Sequence, residues 1–349
     1  MQFGKLLAGF ETWLREDQDR GDLTVSAYLT DVQNFAIWLK QTYGREYSVE
    51  RVTPTDIKDY RTWLQAVQKQ KASSINRRLA ALRTFFKWAA LSDRVGRSPL
   101  NGIKPLRQQE APPRWLDPQA EHKLQQALEL HAPSVSAERP QRGALSRRGE
   151  TPGAGSVSQK TPLRPFERLL YRDVAMMMLM WKAGLRVSEV AALDRGDVKI
   201  QSNKRGTAEV RAGKGRKTRT VPLNADVIAT IQTWLKIRPA SKEAALFLSR
   251  SGIRITARAV QQIVEQIGHE AAALIKARSS EDRVLADSLN ALTPHVLRHT
   301  CGKRMLDAGA QLTEVAAILG HTDLNMTRRY TQPGEEDLHR AVGRIASRE

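Results

Sequence analysis

Residue types suited to phosphate chemistry are concentrated between Thr293 and Tyr330, in the stretch TPHVLRHTCGKRMLDAGAQLTEVAAILGHTDLNMTRRY. His295 and Arg298 are three residues apart, so on a helix they share a face and can contact one ligand. An imidazole beside a guanidinium suits a phosphate group. His321 and Tyr330 follow within the same stretch, and this is where we expect the chemistry.

The same stretch predicts two helices that position these side chains. Pro294 suits the first turn of a helix, and Gly309 is typical of a helix end. The second helix carries an apolar stripe that stops at Gly320 and consists of Leu312, Val315, Ile318 and Leu319. We therefore expect His321 to lie just past the end of a helix.

Five motifs together resemble those of a known family. The stretch contains HVLRH, then LGH 23 residues after Arg298, then Tyr330 nine residues after His321. Upstream lie GLRVSEVAALDRGDV around Arg186 and GKGRKTRTVPL around Lys214, in the same order as the family's other motifs. The chain is similar to the tyrosine recombinases and phage-type integrases. The resemblance covers most of the chain and is most specific in these motifs.

The resemblance implies that the protein cleaves and rejoins DNA strands through a 3′-phosphotyrosyl intermediate, without a metal or cofactor. Such cleavage requires a nucleophile and cations that stabilise the extra negative charge of the transition state. By matching position, Tyr330 is the nucleophile. Arg186 and Arg298 are the fork-shaped donors to the non-bridging oxygens.

The remaining roles concern protons and also follow from the resemblance. Lys214 is the acid for the leaving 5′ oxygen, although Lys217 is close enough in sequence to replace it. His295 accepts the tyrosine proton, and His321 donates a hydrogen bond to the phosphate. Glu189 lies one helical step after Arg186 and is expected to orient it or to contribute to the site indirectly.

A zinc site is the alternative interpretation of the histidines, because His295 and His299 have the spacing of two ligands on one helix face. The residues between them include no glutamate to act as a base. The guanidinium of Arg298 would also repel a metal ion bound beside it. We therefore expect no metal.

Composition indicates a polyanionic partner. The chain has 349 residues, with 56 lysines and arginines against 37 acids, a formal charge of +19 and a pI near 10.3. With the resemblance, this favours double-stranded DNA. Basic residues outnumber acids most in 71–107 and 204–219, and the candidate DNA contacts are Arg77, Arg78, Arg83, Lys87, Arg211, Arg216, Lys217 and Arg219.

The expected location is the cytoplasm, in association with the nucleoid. A lone cysteine, Cys301, fits a reducing compartment. The N-terminus lacks the pattern of a signal peptide, and the longest apolar run, Val174 to Trp181, is too short to cross a bilayer.

The predicted fold is mainly α with a small antiparallel sheet. Periodicity predicts four amphipathic helices in residues 1–108, which resemble the family's core-binding domain, and a mixed α+β catalytic domain in residues 109–349. Runs of β-forming residues between Leu193 and Leu223 predict the sheet. We expect a disordered insertion at about 132–165, rich in Ser, Gly, Pro and Arg, and a largely polar connection from Arg278 to Leu292.

Two other functions fit the same patterns. One is a catalytically silent DNA-binding or architectural protein of this fold, and the other is an enzyme like a type IB topoisomerase, which relaxes DNA without exchanging partners. Intact catalytic positions favour catalysis, and the core-binding resemblance favours recombination. A C-terminal apolar stripe in 338–345 resembles the helix with which family members form a tetramer on paired sites, and accessory proteins are compatible with this assembly.

Overall fold

A computed structural model describes residues 3–18, 21–44, 47–107, 114–132, 165–211, 218–276, 278–321 and 327. These residues form two compact units, one within the first 107 residues and one from residue 114 onward. Several expectations fall outside the described residues. They concern Lys214, Arg216, Lys217, Tyr330, the insertion at 133–164 and the C-terminal stripe.

The first unit consists of the four helices that periodicity predicts. Thr53 caps the third of them by accepting a hydrogen bond from the Asp56 amide, and Asp56 in turn accepts from the Thr53 amide at 2.8 Å. Pro54 occupies the first helical turn, where the loss of its N–H costs nothing. The helices are α1 (Phe3–Glu16), α2 (Asp22–Tyr43), α3 (Pro54–Ala66) and α4 (Ala72–Leu91).

Aromatic side chains fill the core of the first unit. Phe85 is fully buried and packs edge-to-face against Phe10, with ring centroids 5.2 Å apart. The apolar stripe of α4 is also buried and consists of Ile75, Leu79, Leu82, Phe86 and Ala89. Burial of this stripe turns Arg77, on the opposite side of the helix, toward solvent.

The second unit has eight helices and three strands among its described residues. The helices are α5 (Pro118–His131), α6 (Pro165–Lys182), α7 (Val187–Ala192), α8 (Ala225–Ile237), α9 (Ala257–Ala273), α10 (Ser280–Asn290), α11 (Pro294–Asp307) and α12 (Leu312–Leu319). The strands are β1 (Val198–Ser202), β2 (Arg205–Val210) and β3 (Arg219–Leu223).

The strands form one antiparallel sheet in the order β1-β2-β3. Ala208 faces Val221 across β2 and β3, and both side chains are fully buried against the core. The segment between β2 and β3 contains Lys214. The mainly α fold with a small antiparallel sheet is confirmed, and no described helix is long and apolar enough to cross a membrane.

The prediction of a largely polar connection from Arg278 to Leu292 is wrong, because residues 280–290 form α10. Ser279 and Asp282 form a capping box that satisfies amides at the start of this helix. Among the α10 side chains only Leu289 is fully buried, so the apolar signal in the sequence is weak. Packing against α9 stabilises a helix that periodicity alone does not reveal.

Candidate active site

Arg298 is a buried cation on α11, with 4% of its surface exposed. Thr293 caps this helix by accepting from the Val296 amide, which places Arg298 in the second turn. Its Nη1 donates to the Gly184 carbonyl at 2.5 Å, and its Nη2 donates to the Leu319 carbonyl. A buried charge is costly unless such hydrogen bonds compensate it, so these contacts fix the guanidinium in one place.

The turn between α6 and α7 allows this close approach because Gly184 has no side chain. Its φ of +70° lies in the left-handed region, which glycine adopts without strain. A Cβ there would lie 2.5 Å from Leu319 Cδ2 and 3.3 Å from Cys301 Sγ. Glycine therefore lets the turn reach both α11 and α12.

Arg186 follows directly, at the N-cap of α7. Its Nη1 donates to Glu189 Oε1 at 2.8 Å, and its Nη2 donates to the Gly320 carbonyl at 2.9 Å. The side chain remains 34% exposed, in contrast to that of Arg298. Arg186 is thus oriented on one side and open to solvent on the other.

Glu189 links Arg186 to Arg219. It accepts from the Arg186 amide at 2.7 Å and from both terminal nitrogens of Arg219, each at 2.8 Å. Burial raises the pKa of Glu189, but the hydrogen bonds from Arg219 and Arg186 outweigh it and lower the pKa to about 2. The carboxylate is therefore ionised at neutral pH, and the prediction that Glu189 orients Arg186 agrees with these contacts.

The last three carbonyls of the α12 turn each accept from a different arginine. Arg219 Nε donates to Ile318 at 3.1 Å, while Arg298 donates to Leu319 and Arg186 to Gly320. The C-terminal carbonyls of a helix lack partners within it and carry a partial negative charge. The end of α12 is thus a common anchor for three guanidinium groups.

His321 extends from this anchor, just past the helix end as predicted. Gly320 ends α12 in the left-handed conformation, and the His321 amide donates to the Ala316 carbonyl at 3.0 Å. The Nδ1 atom lies 2.8 Å from Oγ1 of buried Thr327. Burial, followed by the charges of nearby arginines, lowers the pKa of His321 to about 4, so the ring is neutral at pH 7.

His295 lies one turn before Arg298 on α11, but its side chain is exposed to solvent. The ring centroid is 6.5 Å from that of His299. His295 is therefore accessible to a large ligand, whereas Arg298 is fixed beneath the surface. Lys214 and Tyr330 lie outside the described residues, and their roles stay predictions.

Three of the four candidate DNA contacts of α4 are exposed, whereas the Arg78 side chain is only 21% exposed. Arg77 is 49% exposed and pairs with the buried carboxylate of Asp31 at 2.5 Å. Arg83 donates to the Ile103 carbonyl at 3.0 Å. Lys87 is exposed, and Arg78 Nε lies 4.0 Å from Asp31.

The candidates around the sheet differ from one another. Arg211 is exposed and pairs with Asp194 at 3.1 Å and with Asp197. Arg219 is only 18% exposed, and all three of its guanidinium nitrogens donate to Glu189 or Ile318. Its role in DNA contact stays a prediction. Its internal hydrogen bonds were missed by sequence reasoning. Arg216 and Lys217 lie outside the described residues.

Two family models match separate parts of the chain. The sequence model of the phage integrase family matches residues 162–336. The model of the phage integrase N-terminal SAM-like domain matches residues 7–92. The first range contains the motifs described above, and the second contains α2, α3, α4 and most of α1.

Individual relatives agree with the family models. The tyrosine recombinase XerC of Haemophilus ducreyi is 33% identical over 212 residues, which are 60% of this chain and 60% of that protein, less than two thirds of its length. XerC of Vibrio parahaemolyticus is 30% identical over 275 residues, which are 78% of this chain and 71% of that protein.

Solved structures show the same fold. XerH recombinase bound to a palindromic difH substrate aligns with a TM-score of 0.66 at 18% identity, covering 96% of this chain and 84% of that one. Tn1549 transposon integrase in complex with a circular intermediate DNA aligns with a TM-score of 0.65 at 18% identity, covering 99% of each chain. The resemblance drawn from the motifs is confirmed: the chain belongs to the phage integrase family of tyrosine recombinases.

Proposed function

We propose that this protein is a site-specific DNA recombinase that cleaves and rejoins DNA strands through a 3′-phosphotyrosyl intermediate. The observation that carries the proposal is the pair Arg186 and Arg298, held at the end of α12 beside His321. Two oriented guanidinium groups suit the non-bridging oxygens of a phosphodiester.

Fixed cations favour catalysis because they need not reorganise as negative charge develops on the phosphate. Arg186 uses two of its guanidinium N–H groups in the hydrogen bonds described above, and a guanidinium carries five. Its exposed side can therefore donate to a phosphate oxygen. Neutral His321, with Nδ1 at Thr327, can donate from Nε2 to the same phosphate.

The nucleophile in this proposal is Tyr330. A phenol has a pKa near 10, so it attacks efficiently only if a base removes its proton and nearby cations stabilise the charge. Exposed His295 supplies the base. Lys214 protonates the 5′ oxygen as it leaves, with Lys217 as the alternative.

Double-stranded DNA is the proposed partner. The charge of +19 and the exposed Arg77 and Lys87 on α4 support phosphate contacts by the helical unit, proposed as a clamp spanning residues 1–108. Residues 109–349 supply catalysis. By family resemblance the protein acts as a homotetramer on paired sites, in the cytoplasm with the nucleoid.

The experiment that tests this function uses DNA carrying the sequences that flank the gene. The purified protein should form a covalent protein–DNA adduct and exchange strands between two labelled copies of its site. Because arginine and lysine supply the positive charge, both reactions should survive EDTA. Loss of the adduct with EDTA, and its return with a divalent ion, would contradict this mechanism.

The same assay separates the alternative functions. An architectural protein would bind the DNA without forming an adduct. A topoisomerase-like enzyme would relax supercoiled plasmids that lack the site and would leave strand partners unchanged. Either result would overturn the proposed recombinase.

A further inference from the structure

We propose that Arg219 is a positioning residue of the active site, which holds Arg186 in place through Glu189 and secures the end of α12 that carries His321. The inference rests on the proposed function for its catalytic consequence. It assigns Arg219 a role other than the phosphate contact that its charge suggests.

The first observation is the geometry between Arg219 and Glu189. Two parallel hydrogen bonds of 2.8 Å join the guanidinium to the two carboxylate oxygens. Such a bidentate pair fixes the plane of the carboxylate as well as its distance. Because Oε1 of that carboxylate also accepts from Arg186 Nη1, the orientation of Arg186 depends on Arg219.

The second observation is the remaining nitrogen of Arg219. Its Nε donates to the Ile318 carbonyl, next to the carbonyls that accept from Arg298 and Arg186. A Cβ on Gly320 would lie 2.9 Å from the Arg219 guanidinium, so the glycine lets α12 end directly against it. The Arg219 side chain thus contacts both Glu189 and the end of α12.

The third observation is the position of Arg219 in the chain. It is the first residue of β3 and lies five positions after Lys214. By anchoring the start of β3 to α12, Arg219 fixes one end of the segment that carries Lys214.

The charge of the pair distinguishes positioning from mere packing. Glu189 must be ionised to accept from Arg186 and Arg219 together, and loss of Arg219 leaves a carboxylate that burial pushes toward the neutral form. The pKa of Glu189 then rises from about 2. Cleavage by an Arg219 variant should therefore fail at a higher pH on the acid side than cleavage by the wild type.

The test compares Arg219→Met and Arg219→Lys with Arg238→Met, which removes a partly buried arginine whose guanidinium donates to the carbonyls of Glu243, Ala245 and Leu246. We expect Arg219→Met to slow adduct formation roughly 100-fold, as small misplacements of catalytic groups do. The acid limb of its pH–rate profile should move upward. Arg219→Lys should recover part of the rate, and Arg238→Met should cleave like the wild type with an unmoved acid limb.

A double variant tests whether Arg219 acts through Glu189. If it does, Glu189→Gln combined with Arg219→Met should cleave no more slowly than the slower single variant. Multiplying effects would overturn the proposed route. Each rate is divided by the rate of its parent protein at the same pH. A modest loss of folded protein therefore does not decide the result.

A titration without DNA keeps the inference separate from the proposed function. Arg219 is one of the cations that lower the pKa of His321, so NMR of labelled histidine should show that pKa higher in Arg219→Met and unchanged in Arg238→Met. Wild-type protein that forms no adduct would contradict the function alone. An unmoved His321 titration, or Arg219→Met that cleaves like Arg238→Met, would overturn the positioning role.

Discussion

Arginines occur both on α4 of the first unit and at the end of α12 in the second, but their environments differ. Arg77 is half exposed and holds one carboxylate, that of Asp31. Arg298 is buried and its donors point to carbonyls of the backbone. Solvent screens the first kind of cation, whereas the second keeps its position and its field.

This difference indicates a division of labour between the two regions. Exposed cations attract DNA over a distance and tolerate a change of register, and their contribution falls as salt rises. Cations fixed by hydrogen bonds cannot adjust to a displaced phosphate, so the bound DNA must place its phosphate within their reach. Changes in the two regions should therefore alter different measured quantities.

The largest effect is expected from Arg298→Ala. It leaves the carbonyls of Gly184 and Leu319 without their donors and opens a cavity, which should lower the free energy of unfolding by about 2 to 4 kcal/mol. Adduct formation should be lost as well. Urea unfolding measures the first effect, and Arg283→Ala on exposed α10 is the control. Equal stability of the two variants would contradict the anchoring role of Arg298.

Gly184→Ala should have the next largest effect, because the new Cβ would meet Leu319 and Cys301. Gly252→Ala is a matched control, since Gly252 has a similar φ of +79° and a Cβ added there would have no atom within 4 Å. Both substitutions carry backbone strain, but only the first also crowds the site. We expect Gly184→Ala to cost about 1 to 3 kcal/mol more in thermal unfolding. Equal costs would show that the turn can move away from α12.

A smaller effect is expected in the pH dependence of stability. The folded-state pKa of His321 is about 4, below its usual 6.5, so between these values the unfolded chain binds a proton that the folded chain does not. This residue therefore lowers stability as pH falls from about 6.5 to about 4. His321→Gln should flatten that part of the curve, measured by urea unfolding at each pH. An unchanged slope would mean that the ring is open to solvent.

The smallest effect is expected on α4, where Arg77→Gln removes one exposed cation. DNA affinity should fall modestly, and the slope of log affinity against log salt should decrease by about 1. Arg298→Lys should leave that slope unchanged, because the charge remains. If Arg77→Gln had no effect on the slope, α4 would not be part of the DNA clamp.

Sequence reasoning succeeded where the signal is local. Gly320 after an apolar stripe predicts where α12 ends, and the position of His321 follows from it. Pro294 likewise predicts the start of α11. Such features depend on neighbouring residues, which the chain displays directly.

It failed where the determining contact is distant in sequence. α10 has one fully buried side chain and depends on packing against α9. Arg219 contacts a carboxylate 30 residues away and a carbonyl 99 residues away, and no spacing rule connects them. In the sequence, its positive charge near Lys214 suggests a DNA contact. Only the folded geometry reveals the hydrogen bonds to Glu189.

The central claim is that the arginines held at the end of α12 stabilise the phosphate that a tyrosine nucleophile attacks. The most direct test traps the protein–DNA adduct, digests it and identifies by mass spectrometry the residue that carries the phosphate. The account predicts phosphate on Tyr330, and Tyr330→Phe, which removes only the hydroxyl, should keep DNA affinity and form no adduct. Phosphate on any other residue, such as Tyr171 or Tyr60, would contradict it.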